Sequence, residues 1–113
     1  MVPHFNIYIV PADQKAAFLQ SWQRTSEAYS RADGFIETYL YRNAGFGDAT
    51  FQFIGISYWS SAEAAERVRN AYPPGEERLA GVQGHPAIFE AVHATRHRDK
   101  KPIYLSVVRI SFA

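Results

Sequence analysis

The order of elements along this chain predicts an α+β fold of ferredoxin-like βαββαβ type. An antiparallel sheet carries both helices on one face, and a further strand follows at the C-terminus. Three observations lead there. Strand-like runs rich in β-branched and aromatic residues recur along the chain. Stretches of helical spacing separate the first run from the second and the third from the fourth. The third run, FQFIGISYW, is apolar on both of its faces, so it needs cover on both sides.

The first strand is HFNIYIV, His4 to Val10, with Phe5, Ile7 and Ile9 alternating against Asn6, Tyr8 and Val10. Asn6 is its odd member, because asparagine is disfavoured in strands. It either satisfies neighbouring backbone or points a hydrogen-bonding group into a pocket. Pro11 ends the strand, and Asp13 is expected to cap a helix carrying Phe18, Trp22, Thr25 and Tyr29 on one stripe. That stripe reads most simply as a core seam. Asp33-Gly34 closes the helix, since glycine suits the left-handed position just past a helix end.

The second strand is expected from Phe35 to Asn43, with Phe35, Glu37, Tyr39 and Tyr41 on one side. A glycine-containing hairpin over Ala44 to Thr50 joins it to the third strand, Phe51 to Trp59. Gly45 and Gly47 lack the spacing and the following helix of a phosphate loop. Along the third strand Phe51, Phe53, Gly55, Ser57 and Trp59 share one face, and Ile54, Ile56 and Tyr58 the other. The strand then runs directly into a helix, with Ser60 and Glu63 spaced as a capping box. An aromatic at a strand end beside the free N–H groups of a helix also suits a pocket wall.

The second helix presents Ala64, Val68, Ala71 and Tyr72 on one stripe, and Pro73-Pro74-Gly75 ends it. Glu76 to Gln83 reads as a short helical piece, and Gly84-His85-Pro86 as a turn into a fourth strand over Ala87 to Thr95. Arg96 to Lys101 is a solvated turn, and residues 103–112, IYLSVVRISF, form a fifth strand that needs a partner edge. With both helices on one face, Ile54, Ile56 and Tyr58 are left on an open face. A second copy of the chain packed against it is the expected cover, giving a homodimer.

The 113 residues make a single domain large enough to bury a core without staples. No cysteine is present, so thiol catalysis, cysteine zinc sites and disulfides are excluded, as a reducing cytoplasm allows. A net charge of +1 is poor material for a nucleic-acid surface. No apolar run approaches the roughly 18 residues of a membrane span. No HExxH or serine-elbow motif occurs, and no metal is expected. The aromatic share of 15% exceeds what a small core usually needs and points to a cavity or a subunit interface.

The residues NIYIVPADQKAAF, SWQRTSEAYSRADGF, FQFIGISYWSSAEA and HPAIFEAVHA together resemble the antibiotic biosynthesis monooxygenase family over roughly Phe5 to Ala94. The resemblance implies a dimeric α+β barrel. It also implies an oxygenase that uses no cofactor on small electron-rich phenols, anthrones or quinols, in a pocket between sheet and helices. It matches Asn6 and Trp59 to the family's asparagine and tryptophan. Where antibiotic-tailoring members commonly carry an asparagine and a tyrosine, this chain has Gly55 and Ala65, a change that removes two polar groups and widens the pocket. Tyr39, Tyr41 or His93 offers a replacement hydroxyl or imidazole, with His93 suited as a base near neutral pH. Asn6, Trp59 and His93 are therefore the candidate catalytic residues, and Phe18, Trp22, Tyr39, Tyr41, Phe53 and Gly55 the candidate substrate-binding ones.

The haem-degrading branch also matches at Asn6, but it uses a tryptophan and a histidine on and after the second helix; His85 is the nearest histidine here. Haem degradation is disfavoured, whereas haem binding stays open. The competing readings are a binding or stress-response module that keeps the fold without the chemistry, and an isomerase or cyclase on the same scaffold.

Overall fold

A computed structural model describes residues 1–71 and 79–98 of the chain. The elements run β1 (Val2–Ile9), a 3₁₀ turn (Ala12–Gln14), α1 (Lys15–Tyr29), β2 (Phe35–Arg42), β3 (Phe53–Trp59), α2 (Ala62–Ala71) and β4 (Gln83–Ile88). All strand pairs are antiparallel, and the sheet order is β2-β3-β1-β4. This is the ferredoxin-like α+β arrangement. Both helices pack on the face that carries Phe53 and Trp59, with Phe18 of α1 against Phe53 and Ala64, Ala65 and Val68 of α2 against Trp59. Residues 103–112, expected as a fifth strand, and Pro73-Pro74-Gly75 lie outside the described residues. Among those described, no helix is long and apolar enough to cross a membrane.

Alternation along β3 follows its burial: Phe53, Gly55, Ser57 and Trp59 are buried, whereas Ile54 on the open face is 37% exposed. The strand begins at Phe53 rather than Phe51. Gln52 is drawn out of the ladder instead, donating its backbone N–H to the Tyr8 carbonyl while its side chain accepts the Val10 N–H at 2.7 Å. Neither expected cap forms. A 3₁₀ turn opens α1, with the Gln14 N–H donating to the Pro11 carbonyl, so Asp13 sits inside the turn and not at the helix cap. At α2 the hydroxyl that accepts a free helical N–H is that of Ser61, from Ala64 at 3.1 Å. The Ser60 N–H is engaged with the Gly34 carbonyl at 2.7 Å, which ties the end of β3 to the start of β2.

β4 corrects the expectation most. It covers Gln83–Ile88, so Gly84-His85-Pro86 belongs to the strand and is not a turn into it, and residues 89–95 are not part of it. Among the described residues β4 is an edge strand, which tolerates Pro86 because its missing N–H removes no bond from a further described strand. Gly84 has a packing reason: a Cβ there would lie 3.0 Å from Asn6 Oδ1 and 3.4 Å from Tyr8 Cε1. The helical piece expected over Glu76 to Gln83 is described only from Leu79, where the chain turns and then enters β4.

β2 carries an irregularity between Phe35 and Glu37. Phe35 pairs with Trp59 and Glu37 with Tyr58, so Ile36 is the extra residue and is 40% exposed. The slip reverses which face the rest of the strand presents. Phe35 packs edge-on to Trp59 with centroids 5.3 Å apart, while Glu37, Tyr39 and Tyr41 share the open face with Tyr58, Ile56 and Ile54.

A polar strip between two apolar clusters as the candidate site

The apolar packing on the helix-bearing face falls into two clusters. One joins Trp59, Ala64, Ala65 and Val68, with Val2, Tyr29, Ala32, Phe35 and Ile88 against it. The other joins Val10, Phe18 and Phe53, with Tyr8, Trp22, Leu40, Leu79 and Val82 against it. Along β1 the first cluster holds Val2 and the second holds Tyr8, with Val10 just past the strand end, so His4 and Asn6 fall between them. Cross-strand pairing sets Ser57 beside His4 and Gly55 beside Asn6 on the same face. The result is a strip of polar side chains between two greasy walls.

Two buried polar atoms in this strip have no hydrogen-bond partner, His4 Nε2 and Asn6 Oδ1. Buried polar groups are rarely left in that state, so each calls for a reason. Burial holds the His4 imidazole below its ordinary value; Arg69 on α2 pushes the same way, and Glu66 opposes it. His4 is therefore neutral near pH 7 and able to accept a proton.

Asn6 and Trp22 both hydrogen-bond the Tyr8 phenol. An indole can only donate, and Asn6 bonds through its NH2 because its Oδ1 is unpartnered; both bonds therefore end on the phenol oxygen. Burial, aided by Tyr29, pushes the Tyr8 hydroxyl up to about 12 against the opposing pull of those two donors. The ring is held edge-on by Phe18 at 4.8 Å, and Phe18 stacks on Phe53 at 4.9 Å.

Five of the expected residues are thus brought together: Asn6, Phe18, Trp22, Phe53 and Gly55. Trp59 lies on the same face, 2% exposed within the other cluster, and its indole N–H donates to Ser57 Oγ at 3.0 Å. Tyr39 and Tyr41 lie on the opposite face of the sheet, where the Tyr39 hydroxyl donates to Glu37 Oε2 at 2.6 Å. His93 is exposed beyond the end of β4, and its ring nitrogen bonds the Thr95 hydroxyl. Tyr41 and Phe53 also line a shallow cleft of about 240 Å³ at the β2–β3 connection, with Arg42, Asp48 and Phe51. His4, Tyr8 and Ser57 did not figure among the sequence candidates. The signal was present, since His4 and Tyr8 flank Asn6 at a spacing of two on one strand face.

Among the described residues no three acidic or histidine side chains converge to hold a metal. The haem-degrading pattern is not met either: α2 carries neither tryptophan nor histidine, and His85 pairs with Ile7 on the open face, edge-on to Phe51 at 6.3 Å.

Sheet order, helix placement and the strip define an α+β domain with a buried polar strip beneath its helices. Solved structures of the same architecture include a "putative monooxygenase" from Shewanella loihica. The two share 27% identity with a TM-score of 0.65, over 82% of this chain and 95% of that one. The heme-degrader MhuD from Mycobacterium tuberculosis, solved with two hemes in its active site, has a TM-score of 0.64 at 19% identity, over 85% of this chain and 100% of its own. SnoaB, a cofactor-independent oxygenase from Streptomyces nogalater, has a TM-score of 0.63 at 19% identity, over 85% and 97%. The resemblance to the antibiotic biosynthesis monooxygenases is thereby shown in the fold itself. No protein-family model matches the chain, and no curated protein does.

Proposed function

We propose that this chain is a cofactor-independent monooxygenase that oxidises a small electron-rich aromatic of phenol, anthrone or quinol type at the polar strip. The observation that carries the reading is the pair of buried, unpartnered atoms His4 Nε2 and Asn6 Oδ1, side by side on β1 between apolar walls. Each such orphan costs about 1–3 kcal/mol of stability, so a core with nothing to receive would replace them with apolar groups. A hydroxylated aromatic answers both needs, with flat apolar surface for the walls and a hydroxyl for the strip.

The chemistry asks little of the protein, because an anthrone or quinol carries its own electrons. For an anthrone, oxidation of the ring CH2 to a carbonyl releases four electrons. Dioxygen takes all four, one oxygen atom ending in the new carbonyl and the other in water, so no external reductant enters. Neutral His4 accepts the proton whose loss makes the substrate electron-rich enough to reduce dioxygen. Asn6 Oδ1 accepts a hydrogen bond from a substrate hydroxyl and fixes its orientation. Phe18, Phe53 and Trp22 form one wall and Trp59 the other, keeping water from the reduced oxygen species. His4 is given the role of base in preference to His93, which is exposed and already bonded to Thr95. Ile54, Ile56 and Tyr58 are assigned to a homodimer contact on the open face, where Tyr39 and Tyr41 also lie.

Oxygen uptake by chelator-treated protein with a panel of hydroquinones and anthrones tests the reading, with Asn6→Ala and Trp59→Phe alongside. Uptake that falls in both variants, with one atom of isotopically labelled dioxygen in the product, is the expected result. A folded protein that consumes no oxygen across the panel overturns it. One observation favours a second reading, a binding module without turnover: the space over Gly55 is occupied by Trp22 and Tyr8, as in a pocket filled by its own side chains. Binding of the oxidised aromatic with no uptake of oxygen from the reduced one distinguishes that case.

A further inference from the structure

Gly55 stands where the family resemblance expects an asparagine, yet the position is not empty space. A Cβ there would lie 3.2 Å from Trp22 Nε1 and 3.4 Å from Tyr8 Cε2. On the other side of the same ring, a Cβ at Gly84 would lie 3.4 Å from Tyr8 Cε1. The Tyr8 ring therefore lies between the backbones of β3 and β4, in a slot left by two glycines. The reaction described above gives Tyr8 no part and uses Trp22 only as a wall.

The bonds at the phenol have one direction. Trp22 and Asn6 both donate to its oxygen, which fills the two acceptor positions and leaves the hydroxyl proton as the group's remaining hydrogen-bonding capacity. We infer that Tyr8 is a catalytic residue that donates this proton in a hydrogen bond to the ligand's reacting oxygen. Trp22 is its positioning residue, and the pair supplies from β1 and α1 the polar contact that Gly55 has removed from β3. The inference rests on the proposed ligand site beside Asn6. A phenol that accepts two hydrogen bonds is polarised into a stronger donor, and the effect is greatest where water is excluded. Tyr8 also keeps its proton around neutral pH, where His4 is neutral, so donor and base operate together. The ligand oxygen that fits is a carbonyl, enolate or peroxide oxygen, each an acceptor that gains negative charge as the aromatic is oxidised.

Two probes test this. Danthron, a dihydroxyanthraquinone with no further electrons to give, is titrated under argon into the wild type, Tyr8→Phe and Trp22→Phe, and its visible band, sensitive to hydrogen bonding at the carbonyl, is followed. Dithranol, the corresponding anthrone, is then used for oxygen uptake. The expected result is a shifted danthron band in the wild type that is lost in Tyr8→Phe, with binding weaker by about tenfold at most. Uptake falls about 100-fold in Tyr8→Phe. Trp22→Phe keeps KM within about twofold while kcat falls, because the lost N–H acts through Tyr8.

Tyr8→Phe that keeps its circular dichroism and urea midpoint and binds danthron with wild-type affinity and band overturns the inference. So does wild-type uptake in that variant, with the oxygenase reading left standing. A band shift that depends on Tyr8, in a wild type that takes up no oxygen, overturns the oxygenase reading and supports Tyr8 as ligand donor. Wild-type protein that binds no danthron and takes up no oxygen with any hydroquinone or anthrone overturns both.

Discussion

Replacing Asn6 by leucine separates a functional amide from a structural one. The change removes one hydrogen bond, from the Asn6 NH2 to Tyr8, which costs about 0.5–1.5 kcal/mol net. Tyr8 is not left bare, because Trp22 still donates to the same oxygen. The change also removes a buried carbonyl that has no partner, which returns about 1–3 kcal/mol. Leucine methyls are larger than the amide atoms and meet Gly84 and the Tyr8 ring, where the clearance is small, at a cost of about 1 kcal/mol. The sum lies within about 1.5 kcal/mol of zero. Oxygen uptake, by contrast, should fall at least about 100-fold, since the group that orients the substrate is gone. Urea denaturation with an unchanged m-value reads the first quantity and an oxygen electrode the second. A loss of 2–3 kcal/mol or more, roughly the cost of breaking a satisfied buried network, with activity falling only as folded protein is lost, would refute the reasoning that Asn6 serves a ligand.

Further outcomes follow from other parts of the structure. His4 has its ionisation pushed below the usual histidine value by burial and Arg69, with Glu66 opposing, so the rate should climb as pH rises through that lowered value and level off by neutrality. Replacing His4 by glutamine should remove this acid limb from the pH–rate profile; an unchanged limb excludes His4 as the base. The same depression means the unfolded chain binds the proton more readily than the folded one. Stability contributed by His4 is therefore fully present above about pH 6.5 and declines as pH falls through the folded value, which urea midpoints measured across that range would show. Gly34→Ala should lower the urea midpoint by more than about 1–2 kcal/mol of stability. Its φ is +89° and the new methyl would sit 2.5 Å from Ala64 Cβ and 2.8 Å from Ser60 Oγ, so an unaffected midpoint contradicts that packing. Ile56→Lys places a charge in the middle of the open face and should convert a dimer to monomer in light scattering; a wild type that is already monomeric removes the proposed role of that face.

The sequence by itself carried the order of elements, because the periodicities that mark helix and strand are local and each segment displays its own. It also showed β3 as apolar on both faces and Asn6 as out of place in its strand, since both can be judged from immediate neighbours. What it did not carry is register, a relation between residues far apart in the chain. One extra residue at Ile36 turned Tyr39 and Tyr41 away from Asn6, and no local pattern in FIETYLYRN announces that slip. Gly84-His85-Pro86 has the composition of a turn, yet it lies in β4 because Asn6 and Tyr8 crowd the space a Cβ would need and because an edge strand tolerates proline. Gly55 read alone suggested a wider pocket. Only the tertiary structure shows that Trp22 from α1 and Tyr8 from β1 occupy the room it leaves, since which side chain fills a gap depends on how helix and sheet are docked and not on the residue that makes it.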